Sequence, residues 1–152
     1  MFGVFWRHAE MTDGVIDLIP IELGEPDAEL RFGRVRDWCI TLHGKHREIG
    51  RISLRDGESV ALYYYGHIGY HIEPRYQGHH YAEKACRLLN GAIRQSGKHS
   101  VVITNDPDNR ASRRTCERLG CVLECTVDVP PQYQERFDLS ARKCRYIWIL
   151  DD

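Results

Sequence analysis

The sequence contains no apolar run approaching the roughly eighteen residues that a membrane-spanning helix needs. Its first stretch, "MFGVFWRHAE", offers only a short apolar piece before Arg7, His8 and Glu10, too little for a secretory segment, and a cytoplasmic location is the expectation. An excess of one charge is lacking as well. The 21 Lys and Arg residues against 22 Asp and Glu give a formal net charge of -1, so no global basic field draws the chain onto nucleic acid or an anionic bilayer. Any anion binding must be local. No C-x-x-C pair exists among Cys39, Cys86, Cys116, Cys121, Cys125 and Cys144. Without an export signal these read as thiols, and the group Cys116, Cys121 and Cys125 as small buried residues rather than zinc ligands. Neither an internal repeat nor a low-complexity tract is present. What remains is 152 residues of ordinary composition, suited to one domain spanning 1–152 with a core that needs no staples.

Periodicity supplies the elements. "GVIDLIPIEL" (Gly14 to Leu23) predicts a first strand with Pro20 at an edge or bulge, and the polar segment from Gly24 to Arg36 leaves room for at most a short helix. "DWCITLH" places Trp38, Ile40 and Leu42 on one face, and "REIGRISLR" resumes after Gly44 as the second arm of a hairpin. Asp56-Gly57 is a turn signal leading into "SVALYYYGHIGYHI" (Ser59 to Ile72), which predicts a long strand with Gly66 or Gly69 at a bulge. The period then changes: Ala82, Ala85, Cys86, Leu89, Ala92 and Ile93 mark one helical face ending near Gly97. "SVVITND" predicts a strand buried at a sheet centre, Asn109 caps a second helix ending at Gly120, and "CVLECTVDV" and "KCRYIWIL" predict two last strands joined by a loop. The strand-helix-strand unit from "HIGYHI" to "SVVITND" calls for a right-handed crossover bringing its strands parallel and close.

Chemistry concentrates in "IGYHIEPRYQGHHYAEKAC" (Ile68 to Cys86). A strand that passes through a glycine-bearing loop into a helix exposes the free N–H groups of the first turn, and the helix dipole makes that end an anion site. Arg75, His79, His80, Lys84 and Arg87 add positive character, and phosphate is the natural guest. The competing reading, a tight Pro74–Gly78 connection with a solvated basic rim, stands beside it.

"IGYHIEPRYQGHHYAEKA" followed by "ITNDPDNRASRRTCERLG" resembles the acetyl-CoA-binding half of the GCN5-related N-acetyltransferases, the GNAT superfamily. Gln77 matches the first position of that family's Q/R-x-x-G-x-G/A pattern, His80 stands at its first glycine position, and Ala82 matches its last. Asn109, Ser112 and Leu119-Gly120 sit at the family's downstream spacing. The resemblance implies an α+β (mixed α/β) fold, with a central mixed, mostly antiparallel sheet of about seven strands and helices on both faces. It implies that backbone N–H groups of Gly78, His79, His80, Tyr81, Ala82 and Glu83 cradle the coenzyme A pyrophosphate, and that Tyr70, His71 and Ile72 pair with the pantetheine arm through an edge opened by a bulge. Asn109 would contact that arm, with Ser112 nearby. A histidine at position 80 keeps the amide donor and leaves Gly78 to supply flexibility.

Acetyl transfer needs a proton acceptor for the amine and a donor for the leaving thiolate. At the places where family members often carry a carboxylate and a tyrosine, this chain has Thr104 and Cys116. Thr104 is no base, and Cys116 has a proton to give but also suits a core. His67, on the strand before "IGY", is the imidazole nearest the expected thioester and the first choice of base, with an ordinary strand-surface histidine as the equal alternative. His67 and His71 lie two pleats apart with no completing cysteine or carboxylate, so no metal is expected. Tyr133, Glu135 and Asp138, the run Tyr63 to Tyr65, and the short Gly24–Arg36 segment border the expected acceptor cleft, which would be open or completed by a second subunit in a homodimer. The expected reaction is acetylation of a primary amine of a small molecule or peptide by acetyl-CoA. A non-catalytic acyl-CoA-binding or regulatory module is the alternative.

Overall fold

The structure, a computed structural model, describes residues 8–21 and 34–151, and most of the Gly24–Arg36 segment lies outside them. Five antiparallel strands, β1 (Met11–Thr12), β2 (Ile16–Ile21), β3 (Val35–Leu42), β4 (Glu48–Arg55) and β5 (Ile68–Ile72), form one sheet in chain order. A second sheet holds β6 (Ser100–Asn105), β7 (Val122–Asp128) and β8 (Arg142–Ile149), with β8 in the middle. The helices are α1 (Val60–Tyr65), α2 (Tyr81–Leu88), α3 (Asn90–Gln95), α4 (Arg110–Arg118) and α5 (Pro131–Phe137). This is the expected α+β class, with the single expected sheet divided in two and β1 added. No described helix is long and apolar enough to cross a membrane.

Alternation in the sequence becomes one apolar face. Trp38 pairs with Ile52 and Ile52 with Tyr70, so aligned residues of three strands point together. Against them pack Ala85, Cys86, Leu89, Ala92 and Ile93, the helical face read from the sequence, and Val101, Ile103, Tyr146 and Trp148 of the second sheet continue the same core. Each fully buried Ile or Leu here contributes roughly 1.5–3 kcal/mol over an exposed one. Pro20 sits where β2 has no described neighbour on its outer side, since β1 pairs only with Asp17 and Leu18. Four of the six cysteines, Cys39, Cys86, Cys116 and Cys144, are buried free thiols.

Several expectations need correction. The run "VALYYY" is helix α1 and not strand: Ser59 caps it by accepting from Leu62 N–H (3.1 Å), and Gly66 ends it at φ +84°. Its β-branched and aromatic residues favour strands, but both caps and the packing of Ala61 and Leu62 override that preference. The loop between the last two strands contains α5, whose Phe137 and Tyr133 pack beside α1. Finally, β6 is no sheet centre, because it pairs with β8 alone.

The strand-helix-strand unit brings β5 and β6 together only at their beginnings. His67 N–H donates to Val102 O (2.8 Å), and beyond that point no ladder forms. The opening does not come from a bulge in β5, which runs in register with β4 from Ile68 to Ile72. Gly66 sets it instead: a Cβ there would lie 3.1 Å from Thr104 N and 3.2 Å from Val102 O, and its φ excludes other residues at low cost.

Candidate functional site

Downstream of β5 the chain makes a single 3-10 turn, Pro74–Tyr76, and Gln77 turns its side chain back to donate to Ile72 O (3.0 Å). Gly78 at φ +89° and His80 at φ 63°, ψ 26° then aim the chain into α2. His80 therefore occupies the left-handed region, which explains why a glycine suits its position. No side chain caps α2, and the first backbone bond of the helix is Lys84 N–H to His80 O. The amides of Tyr81, Ala82 and Glu83 face outward as donors.

Tyr81 and Ala82 border a cavity of about 390 Å³. Of the residues expected to hold the cofactor, Tyr70, His71, Ile72, Gln77, Gly78, His80, Tyr81, Ala82, Asn109 and Ser112 line it. His79 does not; it stacks on Tyr81. Glu83 does not either, because Arg118 (2.9 Å) and Arg87 (3.2 Å) hold its carboxylate. Beyond the small side chains of Ala111 and Thr115, the residues of this lining that the sequence does not mark are Tyr76, Arg114 and Arg118. The last two lie i, i+4 apart on α4, a spacing that signals a shared face.

A second cavity, of about 280 Å³, opens between the diverging ends of β5 and β6. It shares Tyr70, Asn109 and Ser112 with the first. At this junction the Tyr70 hydroxyl and the Ser112 hydroxyl lie 2.8 Å apart, and Asn105 Nδ2 donates to Ser112 Oγ (3.4 Å). Burial pushes the Tyr70 phenol above its ordinary range and keeps it protonated. Asn105 is buried, and its Oδ1 has no hydrogen-bond partner among the described residues.

Other walls of the second cavity carry charge. Asp106 Oδ1 accepts from Lys143 Nζ and Ser140 Oγ (2.6 Å each); burial alone would raise its carboxyl, but these bonds outweigh burial and hold it below the ordinary range. Arg55 lies over the Tyr65 ring (3.8 Å) and donates through Nη1 to Gly66 O (3.1 Å) and Tyr65 O (3.4 Å). Burial pushes this guanidinium down to about 10. Asp138 lines the cavity, whereas Tyr133 packs on Tyr64 and Glu135 points to solvent. Thr104, also in the wall, donates to Tyr64 O and Tyr65 O (3.1 Å each) and so ties off the end of α1.

The two residues expected to do proton chemistry lie elsewhere. His67 is buried at the seam of the sheets and lines neither cavity. Its Nδ1 accepts from Val102 N–H (2.9 Å), which fixes the proton of the neutral ring on Nε2, facing Glu58 Oε1 at 3.2 Å. As the ring stands, neither nitrogen has a free lone pair. Burial, reinforced by Lys98, lowers its pKa and outweighs the opposing pull of Glu58. Cys116 is fully buried, with Asn105 Nδ2 at 3.6 Å from its sulfur, and hydrogen bonding with Cys121 together with burial pushes its thiol far up. Among the described residues no group of three His, Cys, Asp or Glu is placed to hold a metal ion.

A model of the acetyltransferase (GNAT) domain matches residues 6–122. Curated proteins gave no match. The ribosomal-protein-S5-alanine acetyltransferase from Vibrio fischeri superposes with a TM-score of 0.60 at 19% identity, over 78% of this chain and 63% of that one. The microcin C7 self immunity acetyltransferase MccE, in complex with acetyl-CoA and AMP, gives 0.58 at 21% identity over 76% and 61%. Mycobacterium smegmatis RimJ in complex with CoA-disulfide gives 0.57 at 22% over 79% and 55%. The matched region spans less than two thirds of each of these three proteins, which share the fold of this chain. On the match of most of its length, the chain belongs to the acetyltransferase (GNAT) domain family.

Proposed function

We propose that the chain transfers the acetyl group of acetyl-CoA to a primary amine of a small molecule or peptide, by direct attack of the amine on the thioester, in the cytoplasm. The observation that carries this reading is the meeting of two cavities at Tyr70, Asn109 and Ser112, one of them running to the open start of α2. Relatives solved with acetyl-CoA or CoA support the choice of donor.

In this reading the free amides of Tyr81 and Ala82 hold the pyrophosphate, with Arg114 adding charge and Arg118 held at the rim by Glu83. The free edge of β5 at Tyr70 and His71 pairs with the pantetheine arm, while Ile72 O stays with Gln77. The thioester reaches the Tyr70–Ser112 hydroxyl pair and the amine enters from the second cavity. The amine nitrogen bonds to the carbonyl carbon, the C–S bond breaks, and the thiolate takes a proton through that pair. The proton lost by the amine passes to water, since Asp106 is held too acidic to serve as a strong base. His67 acts as the pin joining β5 to β6. A His67→Gln variant is expected to keep thiol release within about twofold while losing about 1–3 kcal/mol of stability, from its buried hydrogen bonds. Loss of release with acetyl-CoA binding intact would return the imidazole to the role of base.

The engaged ring of His67 and the enclosed thiol of Cys116 favour one other reading, a non-catalytic acyl-CoA-binding module. Thermal shift with acetyl-CoA followed by free-thiol release across an amine panel separates the two. Stabilisation without release on any amine selects the module, and absence of stabilisation removes both.

A further inference from the structure

The walls of the second cavity divide by origin and by charge. Tyr70, Thr104, Asn105 and Ser112 belong to the matched domain, whereas Phe137, Asp138, Leu139 and Lys143 lie past its end at residue 122. Lys143 and Asp106 neutralise each other at 2.6 Å. Arg55 is in none of the close ion pairs among the described residues: Asp37 acts on it only from beyond ion-pair distance, and its contacts are the Tyr65 side chain and two backbone carbonyls that accept from Nη1. Its guanidinium is held nonetheless, face-on to Tyr65 and with Nη2 against Gly69, where an added Cβ would collide with it. A positioned, desolvated guanidinium with no carboxylate in direct contact is an arrangement that an arriving anion completes. Asn105 Oδ1 is incomplete in the opposite sense, as a buried acceptor awaiting a donor.

We propose that the second cavity takes a small amine that also carries an anionic group, a carboxylate or a phosphate, with the anion on Arg55 and the amino group donating to Asn105 Oδ1. This assignment rests on the acyl-transfer reading and names its acceptor class. A volume of about 280 Å³ sits at the small end of ligand sites, which run from roughly 300 Å³ upward, and suits such a compact molecule. Asp138, on the same wall, favours the ammonium end on approach.

The test pairs amines that differ only in the anion: β-alanine against propylamine for the carboxylate, and phosphoethanolamine against ethanolamine for the phosphate. Free-thiol release gives kcat/KM for each, and titration calorimetry of the acetyl-CoA-loaded protein gives binding of the same four probes. The anionic member of at least one pair is expected to be preferred by about 10- to 100-fold, the range of a charge-assisted contact, and the preferred pair tells carboxylate from phosphate. Arg55→Gln is expected to abolish the preference and leave acetyl-CoA affinity unchanged. Should that variant fail to fold, Arg55→Lys and Gly69→Ala, which keep the charge but move or crowd it, are expected to reduce the preference severalfold. Equal or better use of the neutral amines, or an undiminished preference in the variants, overturns the assignment while leaving acetyl transfer standing. If no amine is acetylated, the calorimetric preference decides alone. A protein that does not bind acetyl-CoA at all fails at the earlier reading and takes this one with it.

Discussion

Two helices begin at the edge of the same cavity and end their N-termini in opposite ways. At α4 the Asn109 side chain accepts from Ser112 N–H (3.2 Å), and Arg113 N–H reaches Asn109 O (3.1 Å), so the helix satisfies its own first turn. At α2 no side chain does this, and the residue in the cap position, His80, is held at φ 63°, where a non-glycine residue is strained by roughly 1–2 kcal/mol. One start spends its donors on stability. The other keeps them unspent and tolerates a strained residue to aim them into the cavity, which is what a phosphate site requires.

The strongest way to break the contrast is to give α2 an anion of its own. In His80→Asp a carboxylate, tolerated in the left-handed region, would stand where the pyrophosphate is expected. Acetyl-CoA affinity measured by calorimetry should fall on the order of 100-fold, since like charges a few ångströms apart near a surface repel by a few kcal/mol. The melting temperature should hold or rise. Unchanged affinity would show that the start of α2 does not hold the phosphates.

Removing the cap of the other helix should act on stability first. Asn109→Ala leaves Ser112 N–H without its acceptor and is expected to cost about 1 kcal/mol, or about 2–4 °C in melting temperature for a chain of this size. Asn109→Ser should recover most of it. A melting temperature unchanged in the alanine variant would mean that α4 does not depend on its cap.

A smaller effect concerns the seam between the sheets. His67 has a lowered pKa in the folded protein, so below its unfolded value the unfolded chain binds the proton first and folding loses stability. The contribution is complete above about pH 6.5, the unperturbed histidine value, and is lost as pH falls from there toward the folded pKa. Between pH 7.5 and 5.5 the melting temperature of the wild type should drop more than that of His67→Gln. Parallel curves for the two proteins would exclude the seam histidine as the source.

Local features were legible in the sequence and distant ones were not. Gln77, Gly78, His80 and Asn109 announce themselves because turns and caps are built from neighbouring residues, and the burial of Ala85, Cys86, Leu89 and Ile93 follows from helical period alone. Helix α1 is not legible in the sequence although Ser59 and Gly66 bracket it, since "VALYYY" is too short to show a period and its residue types favour strands. The engagement of His67 depends on Glu58, Lys98 and Val102, the last 35 positions away, and no spacing rule reaches that far. For the same reason nothing in the hairpin pattern marks Arg55, which the turn of Gly66 and the bare backbone of Gly69 make part of a cavity wall.

The subtlest test separates the backbone of His80 from its side chain. Glycine relieves the left-handed strain but frees the unfolded chain, so His80→Gly should gain only about 0.5–1 kcal/mol, or about 1–4 °C. Because the amides of the first turn keep their places, acetyl-CoA affinity should stay within about twofold. His80→Ala keeps the strain and should show no gain in stability. If both variants lose affinity equally, the imbalance between the two helix starts does not explain binding, and the imidazole itself reaches the phosphates. If only stability moves, and only with glycine, then position 80 serves the site through its backbone angle, which is the part that the family's glycine and this chain's histidine have in common.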